Sequence, residues 1–287
     1  MSIEENVRLE RFEIERDKDS WIRGEVRVVE AESAEAKKPV LLLLHGFKGF
    51  KDWGFFPYAA EQFAKLGYAV ITFNFSHSGV NEIDFDELDK FGEATHTKEQ
   101  LDIQAVVDAI REESLPLSSY MDIDRMFIVG HSRGGGNSVL FAAASSRVKA
   151  VVAWNGIAEC NLFGEAFRAQ VLKDGIGYVA NARTKQQMPI KAVFFEDLDS
   201  HKEQYNIVAQ AAASAVPMLF IQGDMDSEFI RSGYDRLQAA APHHQFVTIE
   251  GADHTFGARH PFAGTTNELE QAITLTDRFL KGCIVRR

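Results

Sequence analysis

The sequence predicts an α/β fold, a mostly parallel, doubly wound sheet covered by helices on both faces. Three observations lead there. Short, unbroken apolar runs recur at residues 39–44, 68–73, 126–129, 150–154, 217–221 and 246–249, as strands buried on both faces require. Helical periodicity fills most of the intervals, at 57–66, 98–111, 132–145, 228–240 and 267–280. In 98–111, for example, Leu101, Ala105, Val106 and Ile110 share one face. Finally, regular strand–helix alternation implies parallel strands joined by crossover helices. With 287 residues, 45% of them hydrophobic, the chain is long enough for one large domain over 1–287 that includes an insertion.

Taken in order, residues 7–14 alternate in polarity, with Val7 and Leu9 followed after a one-residue slip by Phe12 and Ile14. A charged turn at 15–20 and a second strand at 21–29 complete an N-terminal antiparallel hairpin at a sheet edge. The parallel runs begin at Pro39. Between Trp154 and Pro217 the rhythm breaks, for roughly sixty residues, where a single crossover needs far fewer. Segments 163–171 and 205–215 read as helices, and the stretch containing Gly175, Gly177 and Pro189 reads as irregular. Residues 157–204 are therefore expected to form a small cap over the strand C-termini, with a plain long connection as the alternative.

Charge narrows the partners. Asp plus Glu number 42 against 31 Lys plus Arg, a net charge of -11, which is repelled by phosphate backbones and anionic lipid. Neither nucleic acid nor a membrane is expected as the main partner, and no apolar run reaches the length of a membrane span. Residues 1–19 lack an apolar h-region and a small-residue cleavage site, which predicts a cytoplasmic protein. Cys160 and Cys283 have no metal-ligand spacing and are read as small buried hydrophobes.

The sharpest motif is Gly130-His131-Ser132-Arg133-Gly134, a G-x-S-x-G that follows an apolar strand and opens a helix. That setting is what a nucleophile elbow needs: small neighbours let the chain cross itself, and the helix N-terminus turns its free N–H groups toward the reacting oxygen. A serine hydroxyl is a weak nucleophile at neutral pH and needs a base, which in turn needs an orienting acid. On such sheets the chain order is serine, acid, histidine. The run 217–221 leads into Gln222-Gly223-Asp224-Met225-Asp226, and 246–249 into Glu250-Gly251-Ala252-Asp253-His254. Each places polar groups just past a strand C-terminus, where sites of open α/β sheets lie. Ser132, Asp226 and His254 are the expected triad; Asp226 is favoured over Asp224, which suits an Asx turn. Upstream, His45-Gly46-Phe47-Lys48-Gly49 follows the run 39–44, and the backbone N–H groups of Phe47 and Arg133 are the expected oxyanion-hole donors.

Together, His45-Gly46-Phe47, the stretch Gly130 to Gly135, Gly223-Asp224-Met225-Asp226 and Gly251-Ala252-Asp253-His254 resemble the four signature blocks of the α/β-hydrolase superfamily, from about residue 39 to the C-terminus. The chain is similar to the bacterial dienelactone-hydrolase-like and cinnamoyl (feruloyl) esterase-like branch. That likeness rests on the His-Gly-Phe loop with Phe73-Asn74-Phe75-Ser76-His77-Ser78-Gly79, and on Phe194-Phe195-Glu196-Asp197-Leu198 leading to Val216-Pro217. The resemblance implies an α/β-hydrolase fold whose insertion after the sixth strand, residues 157–204 here, shapes the acyl pocket. Dienelactone hydrolases proper use cysteine as the nucleophile, whereas this chain has Ser132. It also lacks the usual small-Gly-x-Gly pattern at Ser76 and has Asp253 where a glycine is common.

The expected chemistry is hydrolysis of a small-molecule ester, with a small-to-medium acyl or aryl group, through an acyl-enzyme. No cofactor and no metal is needed; His243, His244, His254 and His260 have no zinc-ligand spacing. The acidic loop 76–97 is read as solvated, and Trp53, Phe55 and Phe56 as core or pocket lining. A prolyl-oligopeptidase-type peptidase or amidase would use the same triad but normally carries a further large domain. A lipase would want a more apolar cap than one with Glu159, Glu165, Arg168, Lys173, Asp174, Arg183 and Lys185. A non-catalytic binding protein on this scaffold usually lacks a triad member. The sequence leaves a homodimer open.

Overall fold

The apolar runs become the inner strands of one eight-stranded sheet. The computed structural model of the protein describes residues 6–17, 19–30 and 37–285. Residues 1–5, which the leader reading includes, and residue 18 of the expected turn at 15–20 lie outside the described residues.

Strands β1 (Val7–Asp17) and β2 (Ser20–Val29) pair antiparallel, with Val7 opposite Val29, and form the hairpin at one sheet edge. Then follow β3 (Lys38–Leu44), α1 (Phe56–Lys65), β4 (Ala69–Asn74), α2 (Leu88–Gly92), α3 (His96–Arg111), β5 (Met121–His131), α4 (Arg133–Ala144) and β6 (Val148–Trp154). The next segment holds α5 (Glu165–Asp174), β7 (Ile176–Ala180), β8 (Gln187–Lys191), α6 (Ala192–Ser200) and α7 (Ile207–Ala213). The chain closes with β9 (Met218–Gly223), α8 (Glu228–Ala240), β10 (Gln245–Ile249) and α9 (Asn267–Val285). The sheet order is β1-β2-β4-β3-β5-β6-β9-β10; β2 joins β4 antiparallel, and every pairing from β4 to β10 is parallel. The fold is that of an α/β-hydrolase.

Alternation explains why the runs are apolar at every position. Val40, Leu42 and Leu44 of β3 point into one core, shared with Ile103, Val106, Val107 and Ile110 of α3. Leu41 and Leu43 point into the opposite core, with Ala60 and Phe63 of α1 and Leu269 and Ile273 of α9. A side chain is buried whichever way it faces, so period-2 polarity disappears. Helix starts follow local chemistry: Thr95 Oγ1 accepts from Lys98 N at α3, and Ser227 Oγ from Ile230 N at α8.

Two expectations need correction. The stretch around Gly175, Gly177 and Pro189 is not irregular: β7 and β8 form their own antiparallel ribbon, with Tyr178 opposite Pro189. Pro is tolerated there because a two-stranded ribbon has a free edge on each side. The acidic loop 76–97 is not simply solvated either. Its Phe85 and Phe91 are buried in a third core with Phe50, Val171, Met188, Phe194 and Phe195, which ties the segment between β6 and β9 to the loops after β3 and β4.

The strand order decides where polar groups gather. The chain runs outward from β3 to β4, then returns to add β5 on the other side of β3. The C-terminal ends of β3 and β5 therefore lie side by side, Leu44 opposite Gly130, and their following loops diverge there.

Candidate active site

Ser132 occupies that divergence. It sits between β5 and α4 with φ 57° and ψ -120°, a conformation an L-residue holds only when its surroundings enforce it. The enforcement is visible: Ser132 N donates to Trp154 O at 2.9 Å, and Ser132 O accepts from Gly135 N at 3.0 Å and Ile157 N at 3.1 Å. Close packing requires the flanking glycines. A Cβ on Gly134 would lie 2.5 Å from His45 O, and one on Gly46 would lie 2.8 Å from Ser132 Cβ.

Ser132, His254 and Asp226 are brought into one hydrogen-bonded line. His254 Nε2 lies 3.0 Å from Ser132 Oγ, and His254 Nδ1 donates to Asp226 Oδ2 at 2.7 Å. Asp226 also accepts from Ser227 N at 2.6 Å and Gln222 Nε2 at 3.3 Å. Burial by itself pushes the Asp226 carboxyl up; the hydrogen bond and charge of His254, with Ser227 and Gln222, outweigh it and hold the group below the usual carboxylate range. Asp224 points elsewhere, its Oδ1 accepting from Gly251 N at 2.7 Å to join the loops after β9 and β10. Asp253 closes its own turn, Oδ1 accepting from Thr255 N and Gly257 N.

Phe47 follows β3 and Arg133 opens α4, and the Gly46 contact brings the two backbones together at Ser132. Neither N–H donates to a protein acceptor among the described residues. Phe47 lines both cavities that flank Ser132. One, of about 480 Å³, has Ile157, Leu162 and Phe229 on its walls. The other, of about 360 Å³, has Trp53, Phe56, Lys48 and Arg183, the last from the turn between β7 and β8. Phe55 is core only, whereas Trp53 and Phe56 also face this cavity. The turn is held at the site: Lys48 Nζ donates to Ala180 O at 2.8 Å, and Arg183 pairs with Asp84 at 2.7 Å. His260 also approaches Asp84, at 3.4 Å, whereas His243 and His244 bond to Ser214 O and Ala211 O beside β9.

Two residues that pattern reading passed over hold the His254 loop. Asn155 Nδ2 donates to Asp253 O at 3.1 Å and His254 O at 3.0 Å, while its Oδ1 accepts from Gly223 N at 2.7 Å. His131 Nε2 donates to His254 O at 2.7 Å, and burial pushes this ring down to about 3, which keeps it neutral. A signal for Asn155 was present: it stands just past the run 150–154, as the other site residues stand past theirs.

The sequence model of the dienelactone hydrolase family matches residues 26–281. The chain belongs to this family. This hydrolase shares its fold with proteins of known structure. Est1E from Butyrivibrio proteoclasticus, bound to ferulic acid, is 18% identical, with a TM-score of 0.69 over 96% of this chain and 100% of that one. The α/β hydrolase GrgF from Penicillium sp. sh18 is 15% identical, with a TM-score of 0.70 over 96% and 98%. An acylaminoacyl peptidase from Pyrococcus horikoshii is 19% identical, with a TM-score of 0.63 over 96% of this chain and 41% of the peptidase. No curated protein matches the chain in sequence. Among the described residues, no helix is long and apolar enough to cross a membrane.

Proposed function

We propose that this hydrolase is a serine carboxylesterase working through an acyl-enzyme. The observation that carries the reading is the line from Asp226 through His254 to Ser132 Oγ, with steps of 2.7 and 3.0 Å. Ser132 Oγ attacks the ester carbonyl while His254 Nε2 takes its proton; Asp226 steadies the imidazolium. The carbonyl oxygen becomes an oxyanion facing the N–H groups of Phe47 and Arg133. Collapse of the tetrahedral intermediate breaks the bond to the alcohol, which leaves with the proton from His254. Water, activated by the same imidazole, then releases the acid and restores Ser132.

Cavities of about 480 and 360 Å³ on either side of Ser132 suit a small-to-medium ester, one cavity for each half. The aromatic walls at Phe47, Trp53 and Phe56 favour an aryl group. Est1E binds ferulic acid, so a hydroxycinnamate ester belongs among the substrates to compare.

The test is Ser132→Ala. The substitution should leave the fold intact, abolish fluorophosphonate labelling, and cut hydrolysis of p-nitrophenyl acetate by about 10⁴- to 10⁶-fold. Hydrolysis at the wild-type rate in Ser132→Ala, or no labelling of the wild-type protein at Ser132, overturns the reading. An aminoacyl amide assayed beside the esters separates esterase from peptidase preference.

A further inference from the structure

Helix α4 begins with a residue that helix energetics disfavours. A cation in the first turn opposes the helix dipole. Arg133 is that cation, and its side chain is almost fully buried, at 3% exposure. Burying a guanidinium costs several kcal/mol, and an ion pair in the interior rarely outperforms well-packed hydrophobic residues. Among the described residues its Nη2 has no hydrogen-bond partner. Stability gives no reason for this arrangement; its geometry does.

Arg133 Nε donates to Glu99 Oε2 at 2.8 Å, and the same oxygen accepts from Asn137 Nδ2 at 2.6 Å. Arg133 and Asn137 are one turn apart on α4, so a single carboxylate oxygen grips its first two turns. Gln100, next to Glu99 on α3, donates to Asn137 O at 3.1 Å. His96, at the start of α3, is buried and approaches Asn137 Oδ1 at 2.8 Å. The guanidinium also lies over the Phe194 ring of α6, its Cζ 5.3 Å from the centroid. The N-terminus of α3 is anchored to α6 as well, Thr97 N donating to Asp197 Oδ2 at 3.1 Å. The residue so immobilised is the one whose backbone N–H faces the reacting oxygen in the esterase reading.

We propose that Glu99 is a positioning residue for the oxyanion hole. Its carboxylate holds the start of α4 by way of Arg133 and Asn137, and thereby fixes the Arg133 N–H where negative charge develops. The proposal rests on the esterase reading. A fixed dipole stabilises the transition state without reorganisation, so loosening it lowers kcat and leaves substrate binding nearly unchanged.

The experiment compares wild type, Glu99→Gln, and the double variant Glu99→Leu with Arg133→Met, which removes both charges. Rates on p-nitrophenyl acetate are expressed per Ser132 titrated with a fluorophosphonate, so misfolded molecules are not counted. Glu99→Gln should lower kcat about tenfold, a fraction of the 10²- to 10³-fold that complete loss of an oxyanion donor costs, with KM within about twofold. The double variant should unfold near the wild-type temperature, removal of the ion pair offsetting the lost acceptor of Asn137 Nδ2, yet keep the low kcat. Its affinity for a trifluoromethyl ketone, which forms an oxyanion on Ser132, should fall by the same factor as kcat. Amide exchange over 133–137 should rise in both variants. If both keep wild-type kcat per titrated serine and differ only in melting temperature, the role is structural and the proposal is overturned. If wild type itself neither labels nor hydrolyses esters, the esterase reading falls instead; the exchange comparison then still decides whether Glu99 clamps α4, and unchanged exchange overturns the clamp.

Discussion

Two aspartates two residues apart do different work because of what each oxygen meets. Asp226 accepts from His254 Nδ1, whereas Asp224 accepts from Gly251 N. Asp226→Asn should lower kcat about 10⁴-fold, since the amide favours the wrong imidazole tautomer. Asp224→Asn should leave kcat near wild type and cost about 1 kcal/mol through the weakened loop contact. Steady-state kinetics with urea unfolding of both variants checks this; the opposite pattern would give the acid's role to Asp224. The proposed triad was legible because Ser132, Asp226 and His254 each follow an apolar strand, and a polar group at that place stands out. Asn155 carried the same positional signal past the run 150–154, but its role, like that of His131, was not legible. Each acts on the His254 backbone, 123 and 99 residues along the chain, and no local pattern encodes a partner that far away.

At the scale of elements, the middle of the segment between β6 and β9 packs in the third core, which it shares with Phe50, Phe85 and Phe91 of the loops after β3 and β4. Phe195 is fully buried there against Phe163 and Phe194. Truncating a buried Phe costs about 3–5 kcal/mol, enough to open such a unit locally while the sheet stays folded. Phe195→Ala should therefore raise amide exchange over 165–200, leave β3, β5 and β6 protected, and raise KM for an aryl ester. Global unfolding, or exchange confined to the substituted position, contradicts a locally cohesive third core. The helices of this segment at 165–174 and 207–213 were visible in outline, but its ribbon and α6 were not. Strands β7 and β8 pair only with each other and lie outside the main sheet, so neither shows a long apolar run. Gly177, which reads as a breaker, is small because a Cβ there would lie 2.6 Å from Val171 Cγ2 of α5.

For the whole molecule, buried histidines set the response to acid. His45 is pushed down to about 4, and His96 and His131 to about 3, in each case chiefly by burial, from an ordinary value of 6.5. The unfolded chain takes up these protons near pH 6.5 and the native protein does not, so stability is full above that pH and is lost as pH falls toward 4. Each ring costs about 1 kcal/mol at pH 5.5. Asp102, pushed up to about 6 by burial despite its bonds to Ser76 and Arg16, works in the opposite sense and offsets about one of the three at that pH. Urea midpoints should thus already decline between pH 7 and 5.5; a flat profile over that interval would falsify the linkage. At this scale the six apolar runs announced the parallel sheet. The order of its strands was not readable, because a strand buried on both faces carries the same apolar signature beside any neighbour.

The contacts of Gly46 and Gly134 bear on how this enzyme can be redesigned. The loop after β3 and the turn after β5 interlock largely through main-chain atoms: Gly134 meets His45 O, and Gly46 meets His131 O and Arg133 N. A clash with a side chain is relieved by shrinking that side chain elsewhere; a clash with a carbonyl has no such remedy. Libraries that vary either glycine will return inactive clones whatever else they change, and grafting the elbow onto another sheet means grafting residues 45 and 46 with it. Diversity belongs instead at Ala180 and Ala182, which border the cavity, whereas Asn181 holds the turn and Arg183 is paired with Asp84.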